Sequence, residues 1–99
     1  MAYQIEFAES VREHFRSLKA SERTLVLEAI EEQLLYEPLK ETQNRKPLRP
    51  NPLAPWELRI GELRVFYEIN SDEPQIIRIL AIGKKEGNRL FIGGKEIRL

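Results

Sequence analysis

Fourteen residues, Trp56-Glu57-Leu58-Arg59-Ile60-Gly61-Glu62-Leu63-Arg64-Val65-Phe66-Tyr67-Glu68-Ile69, constrain this chain more than any other stretch. They read as two strands joined by a tight turn at Gly61-Glu62, because strand side chains alternate between faces with period two. Trp56, Leu58, Ile60, Leu63, Val65, Tyr67 and Ile69 fall on one face, suited to a core. Glu57, Arg59, Arg64, Phe66 and Glu68 share the other. A hairpin that turns arginines out of one face of a sheet suits an anionic ligand.

The flanking sequence supplies the rest of a fold. Tyr3 to Ala8 alternates and reads as an opening strand. A short helix is expected over residues 10–19, with Ser10 as N-cap, Val11, Phe15 and Leu18 as its apolar stripe and His14 beside that stripe. Ser21 is expected to cap a second helix over 22–36. There Val26, Leu27, Ile30 and Leu34 form a core-facing arc, and Leu25, Ala29 and Tyr36 form a neighbouring one. That apolar surface is wider than one core contact needs. Residues 37–55 hold five prolines and read as an irregular basic loop carrying Arg45, Lys46 and Arg49. A strand over 75–83, apolar at both parities, comes after a turn at 70–74. Short strands are expected at 89–92 and 97–99, with Gly93-Gly94 as a turn rather than a phosphate cradle.

Strand, helix, helix and antiparallel meander make an α+β fold, a single domain over 1–99. The two helices form an antiparallel hairpin packed on one face of a four- to five-stranded sheet, and the other face is expected to be partly open. His14, the one histidine, is expected to pack or cap rather than react. Trp56 is expected in the core or at its edge.

Composition narrows the function classes. There is no cysteine, so disulfides, thiolate metal sites and cysteine nucleophiles are excluded. No basic-then-apolar signal opens the chain, and no apolar run approaches the roughly 20 residues of a membrane span. A cytoplasmic protein with no membrane role is expected. Formal charge is zero, but it is divided. Residues 1–39 hold four Lys/Arg against eight Asp/Glu, and residues 40–99 hold twelve against eight. A basic sheet half suggests a phosphate-facing side.

The order of elements, the pattern Trp-x-Leu-Arg-x-Gly-x-x-Arg-Val-x-Tyr-Glu from Trp56 to Glu68, and Ile82-Gly83-Lys84-Lys85 together resemble the RelE/ParE superfamily of toxins from type II toxin–antitoxin pairs. The resemblance spans nearly the whole chain. It implies a toxin neutralised by a cognate antitoxin. In the RelE-like branch such a toxin is a metal-independent endoribonuclease that cuts messenger RNA on the ribosome and so inhibits translation, with no cofactor. In the ParE-like branch it inhibits DNA gyrase. A third form is a catalytically weakened toxin that acts within its antitoxin complex. The RelE-like branch is favoured.

Carried onto this sequence, the resemblance implies catalytic roles for Arg64, Arg59 and Lys85. Lys85 stands where arginine is more frequent. Glu57 stands where some members have lysine, and Phe91 where a tyrosine is often found. Lys84, Arg89, Phe91, Arg45, Lys46 and Arg49 are candidates for RNA or ribosome contact, and Leu25, Ala29 and Tyr36 for antitoxin contact. Metal-free RNA cleavage needs a base at the 2′-hydroxyl, cations around the phosphorane and an acid for the leaving 5′-oxygen. Glu57 shares a face with Arg59 and Arg64, so it is either that base or a carboxylate that neutralises them in a salt bridge.

Overall fold

The structure, a computed structural model, describes residues 3–35, 37–72 and 74–98. Its elements are β1 (Gln4–Phe7), α1 (Val11–Arg16), α2 (Ala20–Leu34), β2 (Arg45–Pro47), β3 (Trp56–Ile60), β4 (Leu63–Asn70), β5 (Ile76–Glu86), β6 (Arg89–Ile92) and β7 (Lys95–Ile97). Strands β2 to β7 neighbour one another in chain order, and β1 lies parallel to β5, so the sheet has seven strands. That exceeds the expected four or five because two pieces of only three residues, β2 and β7, also pair. Pro47 is tolerated in β2 because that strand is an edge, paired only with β3.

Both helices begin differently from the expectation. Ser10 is itself helical (φ −62°, ψ −21°) and makes no side-chain cap, and α1 is only six residues long. Ahead of α2, Lys19 is the extended residue, and its N–H donates to Glu22 Oε1 at 2.9 Å. The carboxylate three residues into the helix therefore does the capping that Ser21 was expected to do, and Ser21 lies inside the first turn.

The hairpin parity is as read from the sequence. Leu58, Val65 and Tyr67 are fully buried against Val26, Ile30 and Leu34 of α2 and Val11 of α1. Tyr67 also donates from its hydroxyl to Pro38 O at 2.9 Å, and burial raises its phenol pKa. Leu27, expected in this core, is instead 45% exposed.

The opposite face is less open than expected. Phe66, Ala81, Leu90, Ile92 and Ala54 form a second cluster, with Leu48, Leu53, Leu80 and Ile97 packed on it. The residue 48–55 segment thus covers the middle of this face. Asn51 holds that segment with four hydrogen bonds: Oδ1 accepts from Leu53 and Ala54 N–H, and Nδ2 donates to Arg49 O and Ala54 O.

Strand β5 departs from a regular ladder in two places. Phe66 pairs with Ala81 and Tyr67 with Ile79, so Leu80 is an extra residue, a bulge that shifts side-chain parity along β5. It accounts for the strand's apolar residues at both parities. On the other edge of β5, β1 pairs with residues 76–79 and β6 with residues 83–86. In the gap between them His14 Nδ1 accepts the Ile82 N–H at 3.2 Å. An unsatisfied buried donor costs about 1–3 kcal/mol, so α1 completes the sheet's bonding where no strand reaches.

Candidate nucleic-acid interface

The basic cluster begins at the β3–β4 turn. Gly61 adopts φ +58° there, which lets the two strands meet with Arg59 directly opposite Arg64. Both side chains leave the face turned away from the helices. Two guanidinium groups opposed across strands repel one another. Glu57, two residues before Arg59 on the same face, separates their charge. Its Oε1 lies 2.6 Å from Arg59 Nε and 3.8 Å from Arg64 Nε, and its side chain is only 9% exposed. Both readings of Glu57 are compatible with this position: it forms the salt bridge, and it is a carboxylate at the centre of a cation cluster.

The two arginines are not equivalent. Arg59 is about half exposed, whereas the Arg64 side chain is 13% exposed, a correction to the expectation that it faces solvent. Arg64 Nη1 donates to Gly61 O at 2.7 Å and Leu63 O at 2.9 Å, so the side chain curls back over its own turn. Its Nε is buried without a hydrogen bond. Burial lowers the Arg64 pKa, and the Glu57 carboxylate opposes that shift. Arginine nevertheless stays charged near neutral pH.

Lys85 joins this face from β5. The register sets it opposite Leu90, and Leu90 opposite Ile97. Together with Glu57, Asn88, Arg89, Glu96 and Arg98, these residues line a groove of about 560 Å³. Arg89 approaches Glu96 Oε1 at 3.4 Å and Arg98 approaches Glu96 Oε2 at 3.9 Å. Sequence reasoning did not single out Asn88, Glu96 or Arg98. The signal was present in the tail: once 89–92 folds back along 83–86, the residues after Gly93-Gly94 return along 89–92, one strand away from Lys85.

Three expected contact residues point elsewhere. Lys84 precedes Lys85 and faces the helices, where its Nζ lies 2.8 Å from Glu22 Oε2. That hydrogen bond raises the Lys84 pKa and lowers that of Glu22. Phe91 pairs with Lys84 across β5 and β6, so it shares the helix face and is separated from Arg59 and Arg64 by the sheet. Arg45 pairs with Leu58 on the core side, is buried, and donates from Nη1 to Gln33 O of α2. Its neighbour Lys46 pairs with Glu57 on the basic face, half-buried, with Glu41 at 3.7 Å. Arg49 is exposed in the covering loop.

Residues 5–89 match the family described as ParE toxin of type II toxin–antitoxin system, parDE. The chain belongs to the ParE toxin family. It is therefore the toxin of a toxin–antitoxin pair, and its partner is an antitoxin. A solved chain from the toxin–antitoxin complex RelBE2 of Mycobacterium tuberculosis is similar in fold, with a TM-score of 0.72 and 27% identity, covering 86% of this chain and 100% of that one. No curated protein matches.

On this ParE-family toxin the three residues considered for antitoxin contact divide. Leu25 is 50% exposed on α2, and Ala29 packs against the helix-side core. Tyr36 lies outside the described residues. Neither Leu25 nor Ala29 lines the largely apolar groove of about 380 Å³ that Phe7, Ala8, Val11, Phe15 and Leu27 form among the described residues. Among the described residues no helix is long and apolar enough to cross a membrane.

Proposed function

We propose that this toxin is a ribosome-dependent endoribonuclease that cleaves messenger RNA and so stops translation in the cytoplasm. The observation that carries the reading is Arg59 and Arg64 beside the Glu57 carboxylate on a sheet face turned away from the helices, with Lys85 lining the same groove as Glu57. The phosphodiester binds against Arg59 and Lys85, with the fixed Arg64 guanidinium behind them. Glu57 takes the proton of the 2′-hydroxyl as that oxygen attacks phosphorus. The bond to the 5′-oxygen breaks, leaving a 2′,3′-cyclic phosphate on one fragment, and the 5′-oxygen takes a proton from the Lys85 ammonium. Arginine holds its proton near neutral pH, which leaves lysine as the acid among these cations. Each positioned cation is expected to contribute on the order of 10²–10³ in rate, and the base a similar amount. The ribosome supplies what a small protein cannot, a substrate held in line for attack. Neutralisation would use the exposed apolar surface around Leu25.

Primer extension on translated messages after induction tests this directly. New 5′ ends within coding regions support it, and intact messages in growth-arrested cells overturn it. One observation favours a second reading, inhibition of DNA gyrase: the matching family is described as ParE toxin. Induction would then produce double-strand breaks and supercoiling defects while messages stay whole.

A further inference from the structure

The groove beside Glu57 is roomier than a phosphodiester needs, and Leu90 and Ile97 make part of its lining apolar. Leu90, 7% exposed, and Ile97 lie side by side next to Lys85 because register pairs Lys85 with Leu90 and Leu90 with Ile97. Asn88 stands over one wall in the tight turn that Gly87 makes at φ +63°. Arg98 stands at the rim, 91% exposed. A planar heteroaromatic ring suits these groups. Its face rests on aliphatic carbon and beneath a guanidinium plane, and its edge meets a carboxamide that both donates and accepts. The volume of about 560 Å³ lies within the range of sites that enclose small organic groups.

We propose that this groove holds the nucleobase adjoining the cut and that Asn88 determines which base is preferred there. The proposal rests on the ribonuclease reading. In a nucleotide the base and the phosphate are tethered through one ribose, so a phosphate seated at Lys85, which itself lines the groove, leaves its base facing Leu90, Ile97 and Asn88 of the same lining. Asn88 is exposed, so its replacement removes a polar group without opening the core.

The test uses the full chain with ribosomes programmed with messages randomised at the codon in the A site, and sequencing of the cut ends. Wild type is expected to favour one base at a fixed position flanking the cut. Asn88→Ala is expected to reduce that preference roughly fivefold or more, the size of one base-edge hydrogen-bonded pair. Asn88→Gln is expected to restore part of it. A merely structural role would lower cutting of all codons alike and leave the ratio unmoved, and circular dichroism checks that each variant is folded. An unchanged ratio overturns the proposal, as does a wild type without base preference at that position. Weakened antitoxin binding with the ratio intact also overturns it and makes the groove a peptide site. Messages left uncut by wild type remove the ribonuclease reading and the subsite together, whereas active cutting with an unchanged ratio removes the subsite alone.

Discussion

Glu57 Oε1 and Arg59 Nε meet at 2.6 Å from two positions of one strand, with the carboxylate nearly buried and the guanidinium half in water. The pair is asymmetric. Arg59 can swing out to a phosphate, but Glu57 cannot leave. Replacing Arg59 by alanine is expected to keep the fold and reduce message cutting by on the order of 10²-fold, since one positioned cation is lost. Growth on induction and primer extension with Arg59→Ala check this.

Glu57→Gln keeps the shape and removes the charge. Arg59 and Arg64 then face each other with no carboxylate between them. Urea denaturation is expected to report a loss of about 1–3 kcal/mol, and cutting is expected to fall by roughly 10²–10⁴-fold. A stable, fully toxic Glu57→Gln protein would leave the carboxylate with neither role.

Arg64 is embedded where Arg59 is not. Its hydrogen bonds to Gly61 O and Leu63 O tie the guanidinium to the turn, and its aliphatic stem lies in the protein. Arg64→Ala is therefore expected to lower stability by about 1–3 kcal/mol as well as relieve toxicity. The loss of toxicity is interpretable only beside a measured melting temperature.

Lys84 and Lys85 give the sharpest contrast. Lys84→Met removes a partner of Glu22 on the helix side and is expected to leave toxicity intact. Lys85→Met removes a cation from the groove and is expected to abolish it. Parallel induction of the two variants, with expression confirmed by blotting, checks the face assignment.

His14 makes stability depend on pH. Burial lowers its pKa below the usual 6.5, with Glu13 pulling weakly the other way. The unfolded chain then binds a proton more readily than the folded one. The stabilisation is present above about pH 6.5 and is lost as pH falls from there toward the lower folded value, where imidazolium can no longer accept the Ile82 N–H. Thermal melts from pH 7.5 to 5 are expected to show a falling midpoint in wild type and a flatter profile in His14→Phe.

The hairpin was legible because period-two alternation needs no information beyond its own residues. Arg59, Arg64 and Glu57 were placed on one face from sequence, and they are there. Lys84 was misplaced because both adjacent lysines were read toward the ligand although neighbours in a strand face opposite ways. Phe91 was misplaced because its role came from the resemblance and not from its register opposite Lys84. The bulge at Leu80 hides the parity of β5 in a run of isoleucine, leucine and alanine. Arg45 was misread for a different reason. A three-residue edge strand in a proline-rich loop is too short to show alternation, so nothing local separates the buried Arg45 from the outward Lys46. His14 closing the gap in β5, and Lys84 meeting Glu22, depend on partners 68 and 62 residues away. Such contacts have no local pattern to read.

The extra residue at Leu80 has an evolutionary corollary. Excising that one codon would leave an unbroken ladder, with Ile79 and Ala81 as neighbours opposite Tyr67 and Phe66, and Lys84 and Lys85 would keep the faces they have. A three-nucleotide loss at Leu80 is thus harmless to the working cation, whereas the same loss at Ile82, beyond the extra residue, would exchange the faces of the two lysines.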